Sequence, residues 1–122
     1  MSYHGYIPLV KGHLANLGRP AALLEVGVDR GVTLVTLVAF MARAMPAFIA
    51  VGIDVKVQEQ VVLMLDNLDL GPNQVAFCTE GNSLDVLPQL VERKAKFDAV
   101  LLDGDHNYHT VSRELALLEE LT

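Results

Sequence analysis

Leu23-Leu24-Glu25-Val26-Gly27-Val28-Asp29-Arg30-Gly31-Val32-Thr33 is the stretch that decides the fold. An apolar run ends in an acid and two glycines, and apolar residues then recur at helical spacing, which predicts a strand, a tight loop and a helix. Residues 21–26 carry no charge except Glu25, as expected of a strand buried on both faces of a parallel sheet. Gly27 at the strand's end and Gly31 at the helix entrance permit positive φ and lack the Cβ that would keep a ligand off the backbone. Unpaired N–H groups at the start of the helix favour a carboxylate or phosphate, so the loop suits a small molecule with an anionic group. An ordinary strand-to-helix turn with two glycines fits the same residues. The spacing reads G-x-x-x-G and not the G-x-G-x-x-G of dinucleotide sites, which disfavours a nicotinamide-dependent oxidoreductase.

Outward from this loop the pattern repeats. Ile7, Val10, Leu14 and Leu17 mark an amphipathic helix stopped by Gly18 and Pro20. Residues 32–45 are apolar almost all round, with Arg43 near the end, and read as a helix buried against the sheet. Pro46 ends it, and a second strand over 47–53 finishes at Asp54. Val57, Val61, Val62, Leu65 and Leu68 mark the next helix, broken by Gly71-Pro72-Asn73. A third strand over 74–79, a helix over 84–94, a fourth strand over 97–102 and a last helix over 108–121 follow. Strands alternating with helices give right-handed βαβ units. The expected fold is α/β: a Rossmann-like parallel sheet of about four strands with helices on both faces. Residues 1–122 form one domain, with a helix in 1–20 and the βαβ core in 21–122.

Composition narrows the functional classes. The net charge is −6, with 15 acids against 9 scattered lysines and arginines, so nucleic acid is not an expected partner. Cys78 is the sole cysteine, which excludes an intrachain disulfide and suits a reducing, cytoplasmic compartment; it reads as a small buried hydrophobe. The longest apolar stretch is too short to span a bilayer, and no membrane association is expected. A hydrophobic fraction of 52% is high for 122 residues and suggests that a partner, a second copy or further sequence covers part of the surface.

Every strand ends in a polar or glycine-rich segment: Gly27 to Gly31, Asp54, Gly81 to Ser83, and Asp103 to His106. In an open parallel sheet these ends share one edge, and ligands bind in the crevice outside it. Asp54 stands where a carboxylate can accept both hydroxyl hydrogens of a ribose, or it caps the helix that begins near Val57. Asn82 and Ser83 offer groups for an adenine edge, or they cap the helix that follows.

The motif E-x-G-x-x-x-G-x-T, formed by Glu25, Gly27, Gly31 and Thr33, resembles the S-adenosylmethionine loop of class I methyltransferases. Gly81-Asn82-Ser83-Leu84-Asp85-Val86-Leu87-Pro88-Gln89-Leu90 and Phe97-Asp98-Ala99-Val100-Leu101-Leu102-Asp103 are similar to the third- and fourth-strand signature of catechol-type O-methyltransferases. Asp103-Gly104-Asp105-His106-Asn107-Tyr108 resembles the D-G-D-H-S-Y element of a bacterial group that modifies sugars and macrolides. The resemblance implies an S-adenosylmethionine-dependent O-methyltransferase, or its cofactor-binding portion, acting on a hydroxyl of a small molecule. Glu25, Gly27, Gly31 and Thr33 would hold the methionine portion, Asp54 the ribose, and Ser83 with Asn82 the adenine. Asp103 falls where the catechol-type enzymes place a ligand of a divalent metal such as magnesium, and His106 where they place a general base. A metal lowers the acceptor hydroxyl's pKa, and an imidazole with an ordinary pKa of ~6.5 takes the proton at neutral pH. A surface histidine beside two acids, with Asp105 or Asn107 capping the last helix, fits the same residues.

The family's sheet continues with further strands, and its metal site draws an acidic pair from the strand after the fourth. A complete metal site is therefore expected to need residues beyond Thr122. The fourth strand is expected to be an edge, covered by further sequence or by a second copy in a homo-oligomer. A non-catalytic nucleoside-binding module is the alternative function.

Overall fold

The computed structural model describes residues 7–102 and 119–122. The elements run α1 (Ile7–Ala15), β1 (Ala21–Val26), α2 (Val32–Ala44), β2 (Phe48–Asp54), α3 (Glu59–Asp66), β3 (Gln74–Glu80), α4 (Ser83–Glu92) and β4 (Ala99–Leu102). Residues 119–121 are helical. The four strands form a parallel sheet in the order β3-β2-β1-β4, as the alternation of elements predicts. The chain leaves β1 toward β2 and β3, then crosses back to place β4 on the other side of β1, which makes the β1/β4 junction the switch point.

Period-two alternation divides the strand residues between two cores. Ala21, Leu23, Phe48 and Ala50 face α1, α2 and α3, where Leu14, Leu34, Leu37, Val38, Met41, Val61 and Leu65 close over them. Leu24, Val26, Val51 and Ile53 face the other way, against Leu87 of α4, Phe97 and Leu121. The second face is thinner. At its β3 side Ile49, Val75 and Phe77 remain 39–44% exposed.

Two expectations shift at their margins. Residues 32–45 do form a helix, but α2 buries only the stripe Leu34, Leu37, Val38 and Met41, while Val32 is exposed, because the helix lies on one surface of the sheet and is not enclosed between layers. The helix stops at Ala44 because Pro46 drives Met45 out of the helical region, to φ −148° and ψ 144°. The fourth strand begins at Ala99 and not at Phe97, since the Phe97 N–H donates to the Leu121 carbonyl at 2.7 Å. β4 is an edge of the described sheet, half-buried along its length, as expected.

The amino end of the sheet is closed by a polar clamp. Arg19 forms an ion pair with Asp98, whose Oδ2 also accepts the Ala22 N–H at 2.8 Å, and His13 Nε2 lies 3.0 Å from the Asp98 carbonyl oxygen. The hydrogen bond from Arg19, helped by the Ala22 N–H, holds the Asp98 carboxyl below the usual carboxylate range against the opposing effect of burial. The clamp ties the start of β1 to the start of β4. A cleft of about 340 Å³ beside it, lined by Leu14, Arg19, Pro20, Met45 and Pro46 among others, lies at the end of the sheet opposite the carboxyl ends of the strands.

Candidate functional site

Register places the carboxyl ends of the strands together. Val26 pairs with Ile53 and with Leu102, and Asp54 pairs with Glu80, so the segments after β1, β2 and β3 open on one rim. One residue below that rim, Leu101, Glu25, Gly52 and Cys78 form a row across the sheet on its α2 side. Gly52 is required there. A Cβ would come within 2.6 Å of Val28 Cγ2, 2.9 Å of Leu34 Cδ2 and 3.0 Å of Cys78 Sγ. The missing side chain is what lets the first loop and α2 settle onto β2.

The loop between β1 and α2 has an unusual backbone. Gly27, Asp29 and Gly31 all take positive φ, at 89°, 52° and 81°. This backbone turns the N–H groups of Val28 and Asp29 onto one carboxylate, so the negative partner of the loop is supplied by the chain itself. Asp tolerates the left-handed region better than most residues, which explains its place between the glycines. Gly31 is the N-cap of α2 and supplies no side-chain cap, and a Cβ at this position would meet Val61 Cγ2 at 2.8 Å. The first turn of α2 therefore begins without a capping oxygen from its own N-cap residue, directly behind the loop.

Asp54 organises this loop. Its Oδ2 accepts the N–H of Val28 at 2.9 Å and of Asp29 at 2.8 Å. It does not cap α3, whose N-cap is Gln58, so the capping alternative for Asp54 is set aside. The main chain adds a matching tie, with the Gly27 N–H donating to the Ile53 carbonyl at 2.7 Å. One carboxylate oxygen of Asp54 thus fixes the loop, and the carboxylate has a second oxygen for a hydroxyl donor.

Asn82 takes its capping role: its Oδ1 accepts the Leu84 N–H at 2.9 Å at the start of α4. What it adds for a ligand is its amide nitrogen, a donor. Ser83 is the first residue of α4 and is 9% exposed, and Glu25 is 2% exposed, so both are set deeper than Asp54. Thr33 is half-buried in the first turn of α2. Cys78, expected as a small buried hydrophobe, is half-buried beside Gly52, and burial first, then the negative charges of Glu25 and Asp54, push its pKa up to about 11. Among the described residues no group of three or more His, Cys, Asp or Glu side chains is arranged to hold a metal. Asp103 and His106 lie outside the described residues, as do Asp105 and Asn107. No helix among the described residues is long and apolar enough to cross a membrane.

Three residues escaped the sequence reading, Glu80 at this rim and the pair Arg19 and Asp98 at the opposite end of the sheet. Glu80 ends β3 as Asp54 ends β2, and its Oε1 accepts the Val57 N–H at 2.9 Å. An acid at the last position of a strand, directly before a glycine, is the signal that could have found it. Asp98 and Arg19 carried no local signal, being 79 residues apart.

A parallel sheet in this order, with a left-handed glycine loop behind its first strand and an acid closing its second, is a Rossmann-like domain, an architecture that class I methyltransferases share with dinucleotide-binding proteins. Residues 24–122 match the family described as "Methyltransferase domain", and the chain belongs to that family. Solved structures agree on the fold. The SAM-dependent methyltransferase from Agrobacterium tumefaciens has a TM-score of 0.73 at 13% identity, over 97% of this chain and 40% of that one. MycE, a methyltransferase of the mycinamycin biosynthetic pathway crystallised with Mg, SAH and mycinamycin VI, has a TM-score of 0.66 at 18% identity, over 100% of this chain and 32% of that one. The TDP-rhamnose 3′-O-methyltransferase of calicheamicin biosynthesis has a TM-score of 0.64 at 19% identity, over 98% of this chain and 59% of that one. Across such structures the chain spans from 28% to 59% of the neighbour's length. A comparison with curated protein sequences gives no match.

Proposed function

We propose that the chain is the S-adenosylmethionine-binding portion of an O-methyltransferase that acts on a hydroxyl of a small molecule. The observation that carries the reading is the loop with positive φ at Gly27, Asp29 and Gly31, braced by the Asp54 carboxylate at the switch-point rim. The donor set fits the cofactor. Glu25 supplies a carboxylate for an α-amino group, the first turn of α2 with Thr33 supplies donors for an α-carboxylate, and Asp54 accepts from ribose hydroxyls. Asn82 and Ser83 offer amide and hydroxyl groups for an adenine edge.

When bound, S-adenosylmethionine supplies a methyl group on a sulfonium, activated for in-line displacement. The loop residues hold the methionine end and set the direction of approach, which is the main demand of such a displacement. The acceptor hydroxyl must lose its proton. His106 is proposed as the base that takes it, and Asp103 as a ligand of a divalent metal such as magnesium that would lower the hydroxyl's pKa. The structural neighbours described as a TDP-rhamnose 3′-O-methyltransferase and as MycE in complex with mycinamycin VI support a small-molecule acceptor. We also infer that the outer edge of β4 pairs with a further strand, from a longer chain or from a second copy, because an unpaired apolar edge invites association.

Calorimetry with S-adenosylhomocysteine (SAH) and with a nicotinamide dinucleotide tests the cofactor assignment, with binding of the first alone expected. No binding of SAH refutes it. Methyl transfer to a panel of phenolic and sugar hydroxyls, with and without magnesium, then tests catalysis, and a rate unchanged in His106→Ala removes the base assignment. Binding without turnover under all conditions would leave the nucleoside-binding module. Sedimentation at micromolar concentration tests pairing with a second copy, which a compact monomer would contradict.

A further inference from the structure

We propose that Glu80 is a positioning residue for the nucleoside end of the site, holding the β2–α3 loop so that Asp54 and the segment after it are presented in one conformation. The inference rests on the cofactor reading above. The Glu80 carboxylate reaches sideways from the end of β3 to the Val57 N–H, a bond that neither the sheet ladder nor the start of α3 at Glu59 requires. The next residue, Gly81, donates its N–H to the Asp54 carbonyl at 2.8 Å. Asp54 is therefore held on three sides: by Gly81 at its carbonyl, by Glu80 through the chain just after it, and by its own carboxylate on Val28 and Asp29.

The geometry follows from the pleat. Asp54 and Glu80 lie on the α2 and α3 side of the sheet, opposite each other in register, and each reaches across to the loop that follows the preceding strand. The segment that Glu80 holds includes Val55, 71% exposed at the rim beside Asp54. Without the tie this short solvent-facing loop would sample many conformations, and a ligand that needs one of them would bind more weakly by the cost of ordering it. Glu80 itself is exposed, and its carboxylate acts on the site through the Val57 N–H.

The test uses the wild-type chain, Glu80→Gln and Glu80→Ala. Val57 amide exchange is read by NMR without ligand, dissociation constants for SAH and for 5′-methylthioadenosine are read by calorimetry, and thermal midpoints verify that all three are folded. Glu80→Ala is expected to speed Val57 exchange and to weaken both ligands by the same factor, about three- to tenfold, the net worth of one solvent-exposed hydrogen bond. Glu80→Gln keeps an acceptor oxygen and is expected to hold affinity within about twofold of wild type. That rescue separates a specific hydrogen bond from a general effect of altering the surface. Unchanged Val57 exchange in Glu80→Ala, wild-type affinity in Glu80→Ala, or a loss in Glu80→Gln equal to that in Glu80→Ala overturns the inference. Absence of binding by the wild-type chain overturns the cofactor reading and this inference with it, whereas binding by wild type with no loss in Glu80→Ala overturns this inference alone.

Discussion

Removing the Asp54 carboxylate tests whether one side chain shapes the loop that defines the fold. In Asp54→Ala the Val28 N–H loses its acceptor at a residue only 5% exposed, and the Asp29 N–H loses its own at an exposed one. A buried amide left unpaired costs about 1–3 kcal/mol, while an exposed one returns to water at a net loss of roughly 0.5–1.5 kcal/mol. Asp29 can relax from its left-handed conformation once released, which returns part of that cost, so the net destabilisation is about 2–3 kcal/mol. Against a total stability of roughly 5–15 kcal/mol this is a large fraction. Asp54→Asn keeps an acceptor oxygen but loses the charge, which about halves the strength of each bond, and is expected to cost about 1 kcal/mol. The assay is urea unfolding at pH 7, read as a shift of midpoint at constant slope. The reasoning is refuted if Asp54→Ala loses less than about 0.5 kcal/mol, the range of an ordinary surface substitution, or if the two variants are equally destabilised.

Three further outcomes follow from the same contacts. Gly52→Ala is expected to destabilise the chain by about 1–3 kcal/mol in thermal or urea unfolding, because the new Cβ meets Val28, Leu34 and Cys78 inside contact distance; a neutral result would mean that the first loop is not seated on β2. Cys78, with its pKa pushed up to about 11, is expected to react with iodoacetamide far more slowly than a free model thiol between pH 7 and 9, and lowering the nearby charge with Glu25→Gln is expected to speed it. Asp98 has a folded-state pKa below its ordinary value, owing chiefly to the Arg19 hydrogen bond, so its contribution to stability is present above the ordinary carboxylate pKa of about 4 and is lost as pH falls through the lower folded value. The stability difference between wild type and Asp98→Asn is therefore expected to be greatest near neutral pH and to shrink steadily below pH ~4, and a difference constant down to pH ~2 would refute the pairing.

Sequence and tertiary structure divided the information along physical lines. Local signals were legible. The apolar run into Gly27, the pair Gly27 and Gly31, the stop at Pro46 and the turn at Gly71-Pro72 each act within a few residues, and they placed β1, the loop and the alternation of elements that makes the sheet parallel. Asp54 was recognised as a rim residue because it ends an apolar strand. Its hold on the N–H groups of Val28 and Asp29 was not legible, because two strands must first lie in register before a residue 25 or 26 positions away comes within reach. The same is true of Glu80 on Val57 and of the Arg19–Asp98 clamp, which join segments that only the closed sheet brings together. Local chemistry thus determined which elements form and where a ligand loop stands. Side-chain reach across neighbouring strands, which depends on register and on the face each residue takes, decided how that loop is held.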